Sequence, residues 1–455
     1  MAGVALSFPK ALTLALIASA FGSLALAADP TPGELHLRFK SAFEAQDWVT
    51  AEQRAAALVS LLENTPNSDP RALVNPLTNL ATVQFRQGRL EEARGHYVRA
   101  ITLIDGQMGG ADPLLIRPLH GLGEVQLLAG EPSEAAVSLK RAVDLSRNLD
   151  GLFNPEQLDI VDGLIEAYAA IGRLDDAERE HRYGFRVAET AFGKNDLRLL
   201  EPLDRFARWY ESVGRYSTAR GLHARALQLA ERQSADKPIV GVAALRGLSR
   251  TWMLEAIYGP EAESETAVPE VTERSGPFLS AAGAGRLNAD GERALRQALK
   301  LISDNKPRDD RLFAETLMQL GDWYLIAGNT SRAHVNYIDA WKILSLLGND
   351  AAAQIEQPRL LVYRAPATSI TRQQSADPSA FLIKDIYFEL TVGRDGKVTD
   401  ANIAASDLPE ASERSAMMAV RKARYAPRVS NGDIVATERV PFKERLLVRP
   451  PAPAN

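Results

Sequence analysis

The chain has 455 residues, of which 45% are hydrophobic and 24% charged, and 53 basic against 58 acidic residues give a net charge of −5. This balance argues against a nucleic-acid-binding surface, and the low aromatic content of 7% with much alanine favours helices. Because the chain has no cysteine, disulfides, thiolate zinc sites, iron–sulfur clusters and cysteine nucleophiles are excluded.

The first segment reads as a targeting signal. Lys10 precedes an apolar run from Ala11 to Ala27, and the run ends in an Ala-x-Ala site before Ala28. This pattern predicts a secretory signal peptide over 1–27, cleaved after Ala27, and therefore an exported, periplasmic protein. The alternative is an uncleaved signal that anchors the chain in the inner membrane, since the run is at the short limit for a span.

After the signal, particular residues recur at a fixed interval. Glycines recur every 42 residues, each followed five residues later by alanine, and large apolar residues stand eight positions before each glycine. The glycines are Gly88, Gly130, Gly172 and Gly214; the alanines are Ala93, Ala135, Ala177 and Ala219; the large residues are Leu80, Leu122, Leu164 and Phe206. Such regular spacing predicts a repeat architecture.

Each period predicts two helices that pack against each other. Apolar residues before the glycine have helical spacing, the glycine ends the first helix, and small residues after it let the second helix approach closely. A weaker copy surrounds Gln46, a last copy surrounds Gly328, and one copy is split by an insertion. The sequence therefore predicts a mainly α fold, with about seven helix pairs over 33–347 stacked in a right-handed superhelix.

The last copy carries a family resemblance. Its residues are Leu317-x-x-Leu320-Gly321-x-x-Tyr324, followed by Gly328, Ala333, Tyr337 and Ala340. They resemble the tetratricopeptide repeat, and the 42-residue period is similar to the long repeats of kinesin light chains. The resemblance implies a protein-binding scaffold.

Two segments interrupt this pattern. Residues at about 259–290 are rich in Gly, Pro, Ser and Glu, which predicts a mobile loop, or alternatively a lid over the repeat groove. Residues 348–380 lose the helical period and contain Pro358, Pro366 and Pro378, which predicts a linker.

A different domain is predicted over 381–450. Ile386, Phe388, Leu390 and Val392 alternate as in a half-buried strand, and Gly393 to Gly396 carry a hairpin-turn signal. A second strand, a helix over 410–423 and a third strand over 435–448 follow. The predicted order is β-β-α-β, a small α+β layer.

This domain resembles the C-terminal domain of TonB-like proteins. The matching residues are Phe388-x-Leu390-x-Val392-Gly393-x-Asp395-Gly396-x-Val398, then Ala416, then Ala419 to Pro427, then Val440-Pro441-Phe442. The resemblance implies pairing of the last strand with a short peptide of an outer-membrane transporter. Because no long Pro-Lys/Pro-Glu rod precedes the domain, we interpret it as a binding module on a soluble scaffold.

The last strand provides one set of candidate binding residues. An edge strand can accept an added peptide strand through its unpaired backbone groups. The alternative is that its charges only prevent aggregation. The candidates are Arg439, Val440, Phe442, Lys443 and Arg445.

The concave face of the first helices provides the other set. Acidic residues outnumber basic ones there, which favours a basic or amide-rich partner segment; the alternative is a solvated face without a ligand. The candidates are Asn75, Thr78, Arg117, His120, Glu124, Asp159, Asp162, Glu166, Glu201, Asp204 and Arg208.

No catalytic pattern accompanies these surfaces. The six histidines lack metal-ligand spacing, and neither a nucleophile elbow nor a phosphate loop is present. We predict a non-catalytic periplasmic scaffold that binds proteins of the cell envelope, with no cofactor, metal or nucleic acid. The alternatives are an accessory of TonB-dependent outer-membrane transport that contacts receptors through its C-terminal domain, and an enzyme with an unrecognised site.

Overall fold

The computed structural model describes residues 30–108, 112–234, 237–259, 289–366 and 382–448. The predicted signal peptide over 1–27 lies outside the described residues. The chain divides into two compact units, one ending at His96 and one beginning at Tyr97.

Helices dominate the chain as far as residue 352. Fourteen of those described follow one another as seven pairs, and a short fifteenth comes after them. They are α1 Pro32–Glu44, α2 Trp48–Glu63, α3 Val74–Arg86, α4 Leu90–Met108, α5 Ile116–Leu128, α6 Pro132–Leu149, α7 Leu158–Ala170, α8 Leu174–Phe192, α9 Leu200–Ser212, α10 Tyr216–Gln233, α11 Val242–Tyr258, α12 Ala289–Asp304, α13 Asp310–Ile326, α14 Thr330–Leu347 and α15 Asn349–Ala352.

Strands and one further helix form the rest. They are β1 Arg359–Val362, β2 Leu382–Val392, β3 Val398–Ser406, α16 Glu410–Arg421, β4 Arg424–Ala426, β5 Arg428–Ser430, β6 Asp433–Val435 and β7 Thr437–Val448. The predicted fold class, helix pairs followed by a small α+β region, is confirmed.

The period of 42 is visible in the helix bounds. The first helices of five successive pairs begin at Val74, Ile116, Leu158, Leu200 and Val242. Gly88, Gly130, Gly172 and Gly214 separate the helices of four pairs with φ between 74° and 80°. This left-handed conformation suits glycine and ends the first helix of each pair.

The first unit buries a core along α1, α2 and α3. Leu35 and Phe39 of α1, Ala55 and Leu58 of α2, and Leu77 of α3 are all buried. The three- and four-residue spacing within each helix places these side chains on one face, as the sequence pattern predicts.

The split pair lies in the second unit. Helix α11 packs against α12, although 30 residues separate Tyr258 from Ala289 in the chain. Ala294 and Ala298 of α12 are buried with Val242 and Leu245 of α11. Of the predicted insertion over 259–290, residues 260–288 lie outside the described part of the chain.

The C-terminal region is built on a three-stranded antiparallel sheet with the order β3-β2-β7. Ile386, Phe388 and Leu390 of β2 point to one face and bury against Ala416 and Val420 of α16. The four short strands β1, β4, β5 and β6 were not predicted; β1 pairs with β4, and β5 with β6.

Part of the predicted linker is built into the core instead. Over 348–380, α15 and β1 are formed, and Ile355 and Val362 are buried because they pack against the last helix pairs. Residues 367–380 lie outside the described range.

The C-terminal region and the last helix pair share this hydrophobic core. Ala426, Val429 and Ile434 are buried in one cluster with Tyr337 and Leu344 of α14. The Val429 N–H donates to the Ile355 carbonyl at 3.0 Å. The short strands therefore cover the apolar face that the last pair of a stack would otherwise expose.

A buried carboxylate ties the two parts together. Tyr337 Oη donates to Asp322 Oδ1 at 2.7 Å, and Arg359 Nη2 on β1 donates to Asp322 Oδ1 and Oδ2 at 2.8 and 2.7 Å. Burial and the adjacent Asp322 carboxylate hold the pKa of Tyr337 well above its ordinary value. Asp322 is 4% exposed, so its carboxylate is stabilised by these two partners and not by water.

We expect Arg359→Met to lower the free energy of unfolding by about 2–4 kcal/mol, because it leaves the buried Asp322 without its cation. Arg414→Met is the matched control, since the Arg414–Glu410 pair is exposed and such pairs contribute about 0–1 kcal/mol. Urea unfolding of both variants measures the difference. Equal losses would show that the Asp322 cluster does not hold the C-terminal region in place.

Candidate binding surfaces

The first unit carries two of the predicted groove residues. Asn75 is exposed on α3. Thr78 is only 2% exposed, and its hydroxyl donates to the Val74 carbonyl at 2.7 Å. Its assignment to the groove surface is therefore corrected: the side chain bonds back to its own helix and packs inside.

In the second unit, acidic residues of α7 and α9 gather around one opening. Asp159 and Glu201 are exposed there and Asp162 is half-buried. Arg205, which the sequence analysis did not select, forms ion pairs with Asp162 and, at 3.0 Å, with Glu201. Asp159 takes part in no ion pair among the described residues, so an unneutralised negative charge remains at this opening.

The other predicted groove residues lie along the same first helices. Asp204 Oδ2 accepts from Arg208 Nε at 2.7 Å, and His120 Nε2 lies 3.4 Å from Glu124 Oε1. Arg117 and Glu166 are exposed. Unlike the acidic residues around Arg205, these residues do not lie around one opening.

The opening leads into a cavity of about 500 Å³ between α7, α8 and α9. Its walls are largely apolar and aromatic, a lining that suits an apolar group of a partner. The apolar residues that line it are Leu158, Ile165, Phe185, Phe192, Leu197, Leu200 and Phe206.

One polar side chain is built into the cavity wall. His181 is 8% exposed, its ring stacks on Phe206 with centroids 5.1 Å apart, and its Nε2 atom has no hydrogen-bond partner in the described structure. Burial lowers the pKa of His181 to about 4, against the opposing effect of Glu178. The imidazole is therefore neutral at pH 7.

The second candidate surface is the free edge of β7. This strand is the last in its sheet and pairs with β2 alone among the described strands. Its Val440 is buried and Phe442 half-buried, and both lie on the face that carries the core with Phe388. Only Arg439, Lys443 and Arg445 of the five predicted residues are exposed, so side-chain contacts to a partner are limited to them.

Charged side chains lie close together on the outer face of this sheet. Lys443 Nζ lies 2.6 Å from Asp385 Oδ2, and Arg445 Nε lies 3.5 Å from Asp385 Oδ1. Hydrogen bonding to Lys443 lowers the pKa of Asp385, and the same contact raises the pKa of Lys443. The ammonium also stands 5.2 Å from the centre of the Tyr387 ring.

Two features are absent among the described residues. No group of three or more His, Asp or Glu side chains there is arranged to hold a metal ion. No described helix has both the length and the apolar character that a membrane span requires.

Family models match two segments of the chain. Residues 72–148 match the model described as tetratricopeptide repeat. Residues 385–443 match the model described as Gram-negative bacterial TonB protein C-terminal. Both predicted resemblances are thereby confirmed. A search of the curated proteins finds no match.

Solved structures of helical repeats are similar to this chain. Repeats of a kinesin light chain from Podosopora anserina match at 15% identity and a TM-score of 0.40, over 52% of this chain and 98% of that one. The C-terminal part of a repeat protein from Cytophaga hutchinsonii matches at 13% and 0.43, over 70% and 98%. The apo form of RapI matches at 12% and 0.40, over 69% and 99%.

The lowered pKa of His181 predicts a pH dependence of stability. The unfolded chain binds a proton at this residue below its ordinary pKa of 6.5, whereas the native state does so only near 4. Stability is therefore fully present above 6.5 and is lost as the pH falls from 6.5 towards 4. Between pH 7 and 5 the wild type should lose about 2 kcal/mol more than His181→Phe. Equal losses in urea titrations would contradict the burial of a neutral imidazole.

Proposed function

We propose that this protein is an exported, non-catalytic scaffold of the bacterial cell envelope that binds partner proteins at two surfaces. One surface is the concave face of the repeats around Asp159, and the other is the edge of β7. The observation that carries the proposal is the shared core of the last helix pair and the C-terminal region. This core makes both surfaces parts of one compact unit.

The repeat surface suits a partner segment with positive charge. Asp159 and Glu166 are exposed on α7 and make no ion pair within the described chain, while Arg205 neutralises part of the charge of Asp162 and Glu201. A basic segment therefore finds free carboxylates, and an acidic one meets repulsion.

The edge of β7 suits strand addition. An extended peptide bonds to the outward N–H and C=O groups of an edge strand. Pro441 lacks an N–H, and Arg439 has φ = 54°, so the regular part of this edge runs from Phe442 to Val448. Lys443 and Arg445 on this stretch favour a segment with acidic side chains.

A second function, as an accessory of TonB-dependent outer-membrane transport, is supported by the match of residues 385–443 to the TonB C-terminal model. In that function the segment bound by β7 belongs to an outer-membrane receptor. The two functions differ in the partner at β7 and not in the chemistry of binding.

Site-specific photocrosslinking in intact cells tests both surfaces. We expect p-benzoylphenylalanine at Asp159 or Arg445 to capture defined partner segments, because both positions lie on the proposed contact surfaces. Crosslinked peptides identified by mass spectrometry should be basic or amide-rich at Asp159. Receptor peptides at Arg445 would favour the transport function.

Val137 on α6 and Met418 on α16 are the matched controls, since they are 72% and 60% exposed and lie outside both surfaces. Capture of the same proteins at all four positions would refute the two-surface proposal. Point substitutions are preferred to a truncation after the repeats, which would uncover the core around Tyr337 and Leu344.

Export has its own test. We expect the protein purified from cells to begin at Ala28, because the small residues Ala25 and Ala27 form the cleavage site. Ala27→Glu should block processing and leave the N-terminus intact, which peptide mass spectrometry distinguishes. An intact wild-type N-terminus in the membrane fraction would instead support the anchored alternative.

A further inference from the structure

A repeated contact joins successive helix pairs at three places in the second unit. Nine residues after the glycine of a copy, a large side chain of the second helix faces the first helix of the following pair. Tyr97 meets Gly121 in this way, and His223 meets Gly247; a methyl group on either glycine would lie 2.3 Å from the ring. Leu139 also faces Gly163, but there a methyl group would lie 3.4 Å away, at an ordinary contact distance. Glycine therefore permits close stacking at the first two of these joints.

One joint breaks this rule. On α8, His181 is the large side chain at the equivalent position. The next helix has Arg205 where glycine is expected, 42 residues after Gly163 and 42 before Gly247. Helices α8 and α9 accordingly pack less closely than α6 with α7 or α10 with α11. The space left between them is the cavity of about 500 Å³.

The imidazole at this joint also lacks the partner that the equivalent imidazole has in the next copy. In the next copy, His223 Nε2 lies 3.0 Å from Glu211 Oε1, and Arg250 Nε donates to Glu211 Oε2 at 2.7 Å. The position equivalent to Glu211 is Ala169, which has no hydrogen-bonding side chain. His181 Nε2 therefore remains unpartnered in the cavity wall.

From these observations we infer that the cavity between α8 and α9 binds a tyrosine side chain of a partner segment that also carries a lysine or arginine. A hydroxyl both donates and accepts, so it pairs with Nε2 in either tautomer of the imidazole. Phe185 and Phe206 provide aromatic walls for the ring, and the volume accommodates it.

The charge at the opening selects the neighbour of the tyrosine. Asp159 is exposed at the rim and makes no ion pair within the described chain, while Arg205 engages Asp162 and Glu201. A cation next to the tyrosine therefore pairs with Asp159. This inference rests on the proposed function of the repeat surface and specifies what that surface recognises.

The probe is the peptide acetyl-Gly-Lys-Tyr-Lys-Gly-amide, compared with its Phe analogue, on the full chain labelled at histidine. The chain has only six histidines, so their NMR signals are separable, and His181→Phe assigns the relevant one. We expect the Tyr peptide to shift the His181 signal and to bind about tenfold more tightly than the Phe peptide, which leaves Nε2 unpaired.

Two variants rebuild the closed joint of the next copy. Arg205→Gly restores the glycine and should weaken binding of the Tyr peptide by about tenfold or more, because α9 can close on His181. Arg179→Gly is the matched control on α8, with the same loss of an exposed ion pair, and should change affinity by about twofold at most. Ala169→Glu supplies the missing acceptor and should abolish the preference for Tyr over Phe.

Three results would overturn the inference. They are an unmoved His181 signal at millimolar Tyr peptide, equal binding of the Tyr and Phe peptides, and an equal effect of Arg205→Gly and Arg179→Gly. The proposed function is tested separately. It is refuted if photocrosslinking at Asp159 and Arg445 captures the same proteins as photocrosslinking at Val137 and Met418. Should Arg205→Gly not fold, Ala169→Glu decides alone, because a preference for Tyr that survives it excludes His181 as the recognition group.

Discussion

The contact between a large side chain on the second helix of one pair and a small residue on the first helix of the next governs the second unit. Glycine at positions 121 and 247 lets successive pairs approach closely, because a methyl group there would lie 2.3 Å from the facing ring. Each pair leaves an apolar face that only its neighbour can cover, so stability propagates along the stack through these joints. The cavity of about 500 Å³ lies at the joint where Arg205 takes the place of this glycine.

The apolar face at the end of the stack must also be covered. Helix α14 has no following pair in the described chain, and β4, β5 and β6 cover its apolar face in place of one. Asp322, Tyr337 and Arg359 add a buried polar cluster to this contact. A small α+β domain thus serves as the final cover of the repeats while its sheet keeps a free edge at β7.

Charge and apolar surface are distributed differently at the two candidate surfaces. The repeat surface combines acidic groups with an aromatic cavity and a neutral, unpartnered imidazole. The β7 edge offers backbone groups flanked by lysine and arginine, with little apolar surface of its own. In the proposed function, the first surface therefore recognises side chains, whereas the second recognises an extended backbone and is less selective for sequence.

The sequence by itself determined the repeat, its period and the order of the three long C-terminal strands and α16, because helix ends, small positions and strand alternation are local patterns. The register also contained a signal at the cavity, since Arg205 stands where the equivalent positions 121, 163 and 247 hold glycine. What only the tertiary structure decided depends on contacts distant in sequence. Those contacts bury Thr78 and Val440, build β1 into the core with the last helix pairs, and leave His181 without a partner.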